Sequence, residues 1–157
     1  MKKDILKFLE REDKWFLGDG KSLIWAPIYP TYINQLGFWE KSYYFNHEID
    51  PLFKVEIFKE GKNLDVKLDN KKWTPDKLMS IFKEKDFTVE EYKTVIDGCL
   101  NSEIYITNKG AHPQRIDIVM WTGRITDESK LEIVKDVCIK DNFIFYSYYK
   151  KAEGELP

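Results

Sequence analysis

Trp25, Phe38, Trp39, Glu40, Tyr43, Tyr44, Asn46 and His47 fall close together in the sequence. Flat apolar rings beside carboxylate, amide and imidazole groups suit a sugar, whose C–H faces stack on rings and whose hydroxyls take polar partners. Rigid aromatic side chains also lose little entropy when they bind. These residues lie in the stretch from Trp15 to Phe53, which holds three of the five Trp and three of the six Pro. Only Ser22–Ala26 within it has the pattern of a regular strand, so the rings are expected on irregular chain. A long aromatic loop is either a plug over an exposed core or a recognition surface, because a buried loop must find partners for its own backbone. For any single ring, core or domain contact is the simpler reading, since large aromatics are mostly buried for their area.

Other chemistries fit the sequence less well. Hydrolysis of a glycosidic bond needs two carboxyl groups about 5 to 9.5 Å apart. Glu40, Glu48 and Asp50 are the acids set among the aromatics, but acids in a loop are ordinarily solvated, and no catalytic residue is assigned. His47 and His112 are the only His and lack the converging ligands of a metal site, so no metal and no cofactor are expected. There is no Gly-rich phosphate loop and no GxSxG elbow. Cys99 and Cys138 each sit in an apolar run and read as reduced, buried small hydrophobes, with a cross-strand disulfide as the alternative. Trp73 and Trp121, on or beside strands, read as core.

With 27 acidic and 25 basic residues spread along 157 positions, and a net charge of −2, the chain has no basic block. Only Arg11, Arg115 and Arg124 could make bidentate phosphate contacts, so nucleic acid is not an expected partner. The apolar runs are far shorter than the roughly 20 residues a spanning helix needs. The opening MKKDILKFLE is too short in its hydrophobic part for a signal peptide, so no membrane contact and a cytoplasmic location are expected. The length suits one domain over 1–157.

The elements that would position the aromatic segment are mostly strands. Asp4 can cap a short helix in which Ile5, Leu6, Phe8 and Leu9 share a face, a helical lead-in over 1–14. Phe53, Val55 and Ile57 alternate with charges, as do Leu64, Val66 and Leu68, which predicts a hairpin through Glu60–Asn63. At Thr74-Pro75-Asp76 the local rules favour a helix start, but the neighbours are strands and the strand reading is adopted for 75–84. Lys85-Asp86 and Asp97-Gly98 then read as hairpin turns, with a bulge where the apolar phase shifts between Val89 and Tyr92. Gln114–Thr122 alternates and then turns apolar on both faces, which predicts cover on two sides at one end. Val137–Ile139 and Phe143–Tyr146 flank an Asp141-Asn142 turn, and 150–157 reads as a tail. About eight to ten short strands with frequent turns predict an all-β antiparallel β-sandwich with a short N-terminal helix.

The order GDGKSLIWAP, GFWEKSYYFN, PLFKVEIF, KKWTPDKL and NSEIYITNKGAHPQRIDIVMW resembles the N-terminal β-sandwich, or supersandwich, of bacterial glycoside hydrolases of the glucoamylase and glycogen-debranching type. The likeness spans roughly Trp15 to Tyr149. It implies a non-catalytic domain that packs on, or borders the substrate cleft of, a helical barrel holding the catalytic acids. That barrel is absent from this chain. The alternatives are an autonomous carbohydrate-binding module and a protein-interaction sandwich. The expected partners are a glycan, and through the aromatic surface a C-terminal catalytic domain or a second copy of the chain.

Overall fold

A computed structural model of the chain describes residue 5 and residues 9–27, 34–39, 42–44, 47–49, 52–123, 132–140 and 143–150. For 42, 44, 47–49, 52, 122–123 and the strands after 131 it describes the backbone alone. The chain divides into two compact units, Met1–Gly123 and Arg124–Pro157. In the first, the strands are β1 (Leu17–Gly18), β2 (Leu23–Trp25), β3 (Gly37–Trp39), β4 (Ser42–Tyr44), β5 (His47–Ile49), β6 (Leu52–Lys59), β7 (Lys62–Asn63), β8 (Lys67–Thr74), β9 (Lys77–Glu84), β10 (Phe87–Ile96), β11 (Cys99–Asn108) and β12 (Asp117–Gly123). The second unit contributes β13 (Glu132–Lys140) and β14 (Phe143–Lys150), an antiparallel hairpin with a register shift between Val134 and Asp136.

The first unit is an antiparallel β-sandwich. One layer is a four-stranded meander in the order β11-β10-β9-β8. The facing layer is made of two sheets, β1-β2-β4-β5 and β12-β6-β3, with β7 attached to β6. Two apolar clusters fill the space between. Leu17, Leu23, Trp25 and Phe38 meet Leu78 and Val95 of the meander, and Leu36, Val55 and Ile57 meet Phe82 and Val89. Phe38 of β3 joins the first cluster, and Phe53 of β6 packs against both, so the two smaller sheets share the cover of the long one.

The meander follows its sequence closely. Strand β9 buries Leu78, Ser80 and Phe82 while Lys77 and Lys83 stay wet, the two-residue period of a strand and not the helical spacing that Thr74-Pro75-Asp76 suggested. Pairing with β8 on one side and β10 on the other overrides the local helix signal. The Asp97-Gly98 turn has positive φ at both residues, 48° and 76°, the geometry that matches the twist of a two-residue hairpin.

Four expectations need correction. The hairpin over 53–68 is short: β6 pairs β7 only at Phe58↔Asn63 and Lys59↔Lys62, one further bond joins the Leu64 N–H to the Ile57 carbonyl at 2.7 Å, and the chain then crosses to the meander as β8. Alternation states which face is buried, not which strand is the neighbour. Strand β10 carries no bulge, since its register runs unbroken from Phe87 to Ile96; the apolar phase breaks because Glu91 and Lys93 point inward and Tyr92 outward. The register shift lies instead in β8, between Leu68 and Asn70. Strand β12 is an edge strand whose Ile118, Met120 and Trp121 are 55%, 69% and 53% exposed, so its end is not covered on two sides. Within the lead-in, most of 1–8 lies outside the described residues, and 9–14 is not helical: Arg11 pairs with Trp73 through backbone bonds of 2.8 and 2.6 Å.

Asp19 ties the start of the sandwich to the far hairpin. Its Oδ1 accepts the backbone N–H groups of Lys21, Ser22 and Leu23 at 2.8, 2.8 and 3.1 Å, and its Oδ2 accepts the Ser22 hydroxyl at 3.0 Å and the Gly98 N–H at 2.9 Å. These donors, the Lys21 amide first, hold the carboxyl well below the usual Asp range. A depressed folded pKa contributes stability above the unfolded value of about 3.9, and that contribution is lost as pH falls toward the folded value. Melting temperature should therefore fall on acidification below about pH 4. Asp19→Asn should lower it at pH 7 and flatten that acid limb; an unchanged limb would count against this role.

Candidate functional site

Among the described residues, the rings of the aromatic segment do not form one surface. Trp25 and Phe38 are enclosed in the core, edge to face at 5.2 Å, and the Trp25 indole N–H donates to the Trp39 carbonyl at 2.9 Å. They leave the set of surface candidates, because β2, β3 and β4 turn much of the expected loop into strand and aim these rings inward. Trp39 and Tyr43 are half-buried. Tyr44 and His47 face each other across the β4–β5 ladder, with their side chains outside the described residues, as are Glu40 and Asn46 entirely. Of the acids weighed for hydrolysis, Glu40 and Asp50 lie outside the described residues and Glu48 is described by its backbone alone. Cys99, expected in the core, is an exposed free thiol at the start of β11.

The structure assembles a different group, on the outer face of β3, β6 and β12. Val55 and Ile57 of β6 point into the core, so Lys54 and Glu56 point out. The register sets Trp121 directly opposite Lys54, and Trp39 lies on the other side with the Lys54 ammonium 5.4 Å from its ring centre. Glu56 organises the cluster: its Oε1 meets the Lys54 Nζ at 2.5 Å and accepts Asn63 Nδ2 at 3.1 Å, and its Oε2 accepts the Trp121 indole N–H at 2.7 Å. The Lys54 bond, with help from Trp121 and Asn63, holds Glu56 below the ordinary carboxylate range against the opposing effect of burial. At neutral pH it is a carboxylate that fixes the orientation of an exposed indole.

Next to this cluster the facing layer has a notch. Strand β3 pairs β6 only as far as Lys54, and β7 joins it only at Phe58, which leaves Val55–Ile57 bordered by loops. The Val55 N–H reaches the Leu36 carbonyl at 3.3 Å and the Leu64 N–H reaches the Ile57 carbonyl at 2.7 Å. The cavity between the loops is about 430 Å³. Asn34, Gln35, Asn63 and Asp65 supply polar groups around it, Lys54 and Glu56 form the side shared with the two Trp, and Leu36 and Val55 contribute apolar wall.

Behind the notch lie the two charges that broke the pattern of β10. The Glu91 and Lys93 side chains are both 0% exposed, with Nζ 3.2 Å from Oε2. Lys93 also donates to the Gln35 carbonyl at 3.0 Å, while Glu91 Oε1 accepts the Gly37 N–H at 2.7 Å and the Ser102 hydroxyl at 2.6 Å. The ammonium lies 5.3 Å from the Trp25 ring centre and 5.9 Å from that of Phe38. Burial lowers the Lys93 pKa and Glu91 opposes that shift. The only sequence signal for this pair is two charges at i and i+2, in phase with Val89 and Val95.

A shallow cavity of about 460 Å³ lies on the outer face of the meander, among Glu90, Tyr92, Glu103 and Tyr105. There the Tyr hydroxyls already donate to Glu90 at 3.2 Å and Glu103 at 3.1 Å, so the groups that would greet a ligand are spent on each other. Among the described residues, no three His, Cys, Asp or Glu side chains gather to hold a metal ion, and no helix is long and apolar enough to cross a membrane. Comparison with protein-family models, with curated proteins and with solved structures finds no match.

Proposed function

We propose that this chain is a non-catalytic carbohydrate-binding β-sandwich, of the kind that stands at the N-terminal side of a carbohydrate-active enzyme, and that a glycan lies on the outer face of β6 and β12 with its end in the notch. One observation carries the reading: Trp121 is an exposed ring whose N–H is held by Glu56, itself held by Lys54 and Asn63. An indole fixed in advance offers a stacking plane at little entropic cost, and amide, ammonium and carboxylate groups beside it match sugar hydroxyls. The resemblance to the sandwich domains of glucoamylase-type enzymes supports the same ligand class.

Maltoheptaose should quench tryptophan emission, and Trp121→Ala should weaken its binding by about tenfold or more, the loss typical of an aromatic anchor. Trp25 is enclosed and contributes a constant background. Unchanged wild-type emission at millimolar glucan would reject the proposal.

A second reading, a contact surface for a partner domain, is favoured by the other face of β12. Ile118 and Met120 are exposed there, and the strand has no Lys, no Pro and no bulge to guard its edge. Under that reading Met120→Lys reduces self-association and leaves glucan binding intact.

A further inference from the structure

We propose that Glu91 and Lys93 are positioning residues for the notch, holding the 34–37 loop in its ligand-ready shape from inside the core; this rests on the glycan-binding reading above. Two bonds from these side chains bracket Leu36. Lys93 holds the carbonyl of Gln35 at 3.0 Å, and Glu91 holds the amide of Gly37 at 2.7 Å. Gln35 and Leu36 line the notch, whereas neither charge reaches it. The pair acts on the cavity only through the backbone that it grips.

Stability alone does not account for two charges in this place. Enclosing an ion pair costs several kcal/mol of desolvation per ion, and well-packed apolar residues of similar volume often do as well or better. The same inward face of β10 carries Phe87, Val89 and Val95, so the interior accepts apolar side chains on either side. Charged groups add what methyl groups lack, namely directional bonds to one carbonyl and one N–H of a loop that has little regular pairing of its own. Leu36 is fastened in turn, since its carbonyl accepts the Val55 N–H and its side chain is buried in the second cluster. The amide-bearing wall of the notch, Asn34 and Gln35, is thereby set at a fixed distance from the Lys54–Glu56 side.

The test combines amide hydrogen exchange with binding. In the wild-type chain the Gly37 amide should be protected within about tenfold of the β10 amides, because releasing it requires opening the core. Exchange like that of an open loop would overturn the proposal without any variant. In Glu91→Leu/Lys93→Met, which keeps an apolar core, Gly37 should exchange about a hundredfold faster and maltoheptaose should bind at least about tenfold more weakly. Unchanged Gly37 exchange, or faster exchange with unchanged affinity, would overturn it. Trp121→Ala should weaken glucan binding by about tenfold or more and leave Gly37 protected, which separates the clamp from the ligand surface. If the wild-type chain binds no glucan, the functional reading falls, and the exchange measurements alone decide whether the charges hold the loop.

Discussion

Lys93→Met should lower the unfolding free energy by about 3–5 kcal/mol, the usual result of removing one partner of an enclosed ion pair. The variant leaves Glu91 with no cation in a space that water does not enter, and the Gln35 carbonyl loses its donor. Replacing both members removes the uncompensated charge. Glu91→Leu/Lys93→Met should therefore be more stable than Lys93→Met, with a coupling of about 1–3 kcal/mol between the two sites. The remaining deficit comes from the Gly37 amide and Ser102 hydroxyl, which lose their acceptor, and the Gln35 carbonyl, which loses its donor, at about 1–3 kcal/mol for each group left unsatisfied. Urea denaturation of both single variants and the double variant measures the coupling. Additive losses would show that the two side chains act independently.

Gly37→Ala should be nearly as damaging, at about 3 kcal/mol or more, because strain at a sparsely allowed φ costs about 1–3 kcal/mol and a steric clash adds to it. Gly37 has φ of 91°, and a Cβ there would run into the Phe53 carbonyl on the paired strand. Relief would move the backbone away from β6 and pull the amide off Glu91. Gly61→Ala is the matched control. Its φ is 74°, but a Cβ would meet nothing within 4 Å, so only the conformational penalty of about 1–2 kcal/mol remains. Equal losses at the two positions would contradict the close approach of β3 to β6.

The parts of the fold that were legible in the sequence are those where short-range chemistry decides. The hairpins through Lys85-Asp86 and Asp97-Gly98 follow from turn residues between alternating runs, and β2 ends two residues before Pro27. Strand partners separated by a crossover were not legible, since Leu64 and Val66 alternate equally well whether the chain stays with β6 or leaves for β9. The ring cluster on β6 and β12 was not legible for the same reason. Trp121 has the apolar neighbours of a core residue, and its exposure follows from lying opposite Lys54 on the outer face of the sheet, which register sets and local pattern does not. Trp25 and Phe38 looked like recognition residues because short strands among prolines give little periodicity. Glu91 and Lys93 looked like a slip in phase because charged side chains are almost never fully enclosed unless paired, and the pairing is visible only in three dimensions.

Gln35 and Gly37 precede their charged partners by 58 and 54 residues respectively, so during synthesis the loop emerges well before the strand that will grip it. The β9–β11 ribbon can zip up through its own turns, yet the two sandwich layers cannot close over Glu91 and Lys93 dry until that earlier loop has docked. Premature collapse of the ribbon onto any other greasy surface would strand two ions without solvent or partner. Enclosing the two charges is therefore favourable only once the 34–37 segment supplies its carbonyl and its amide.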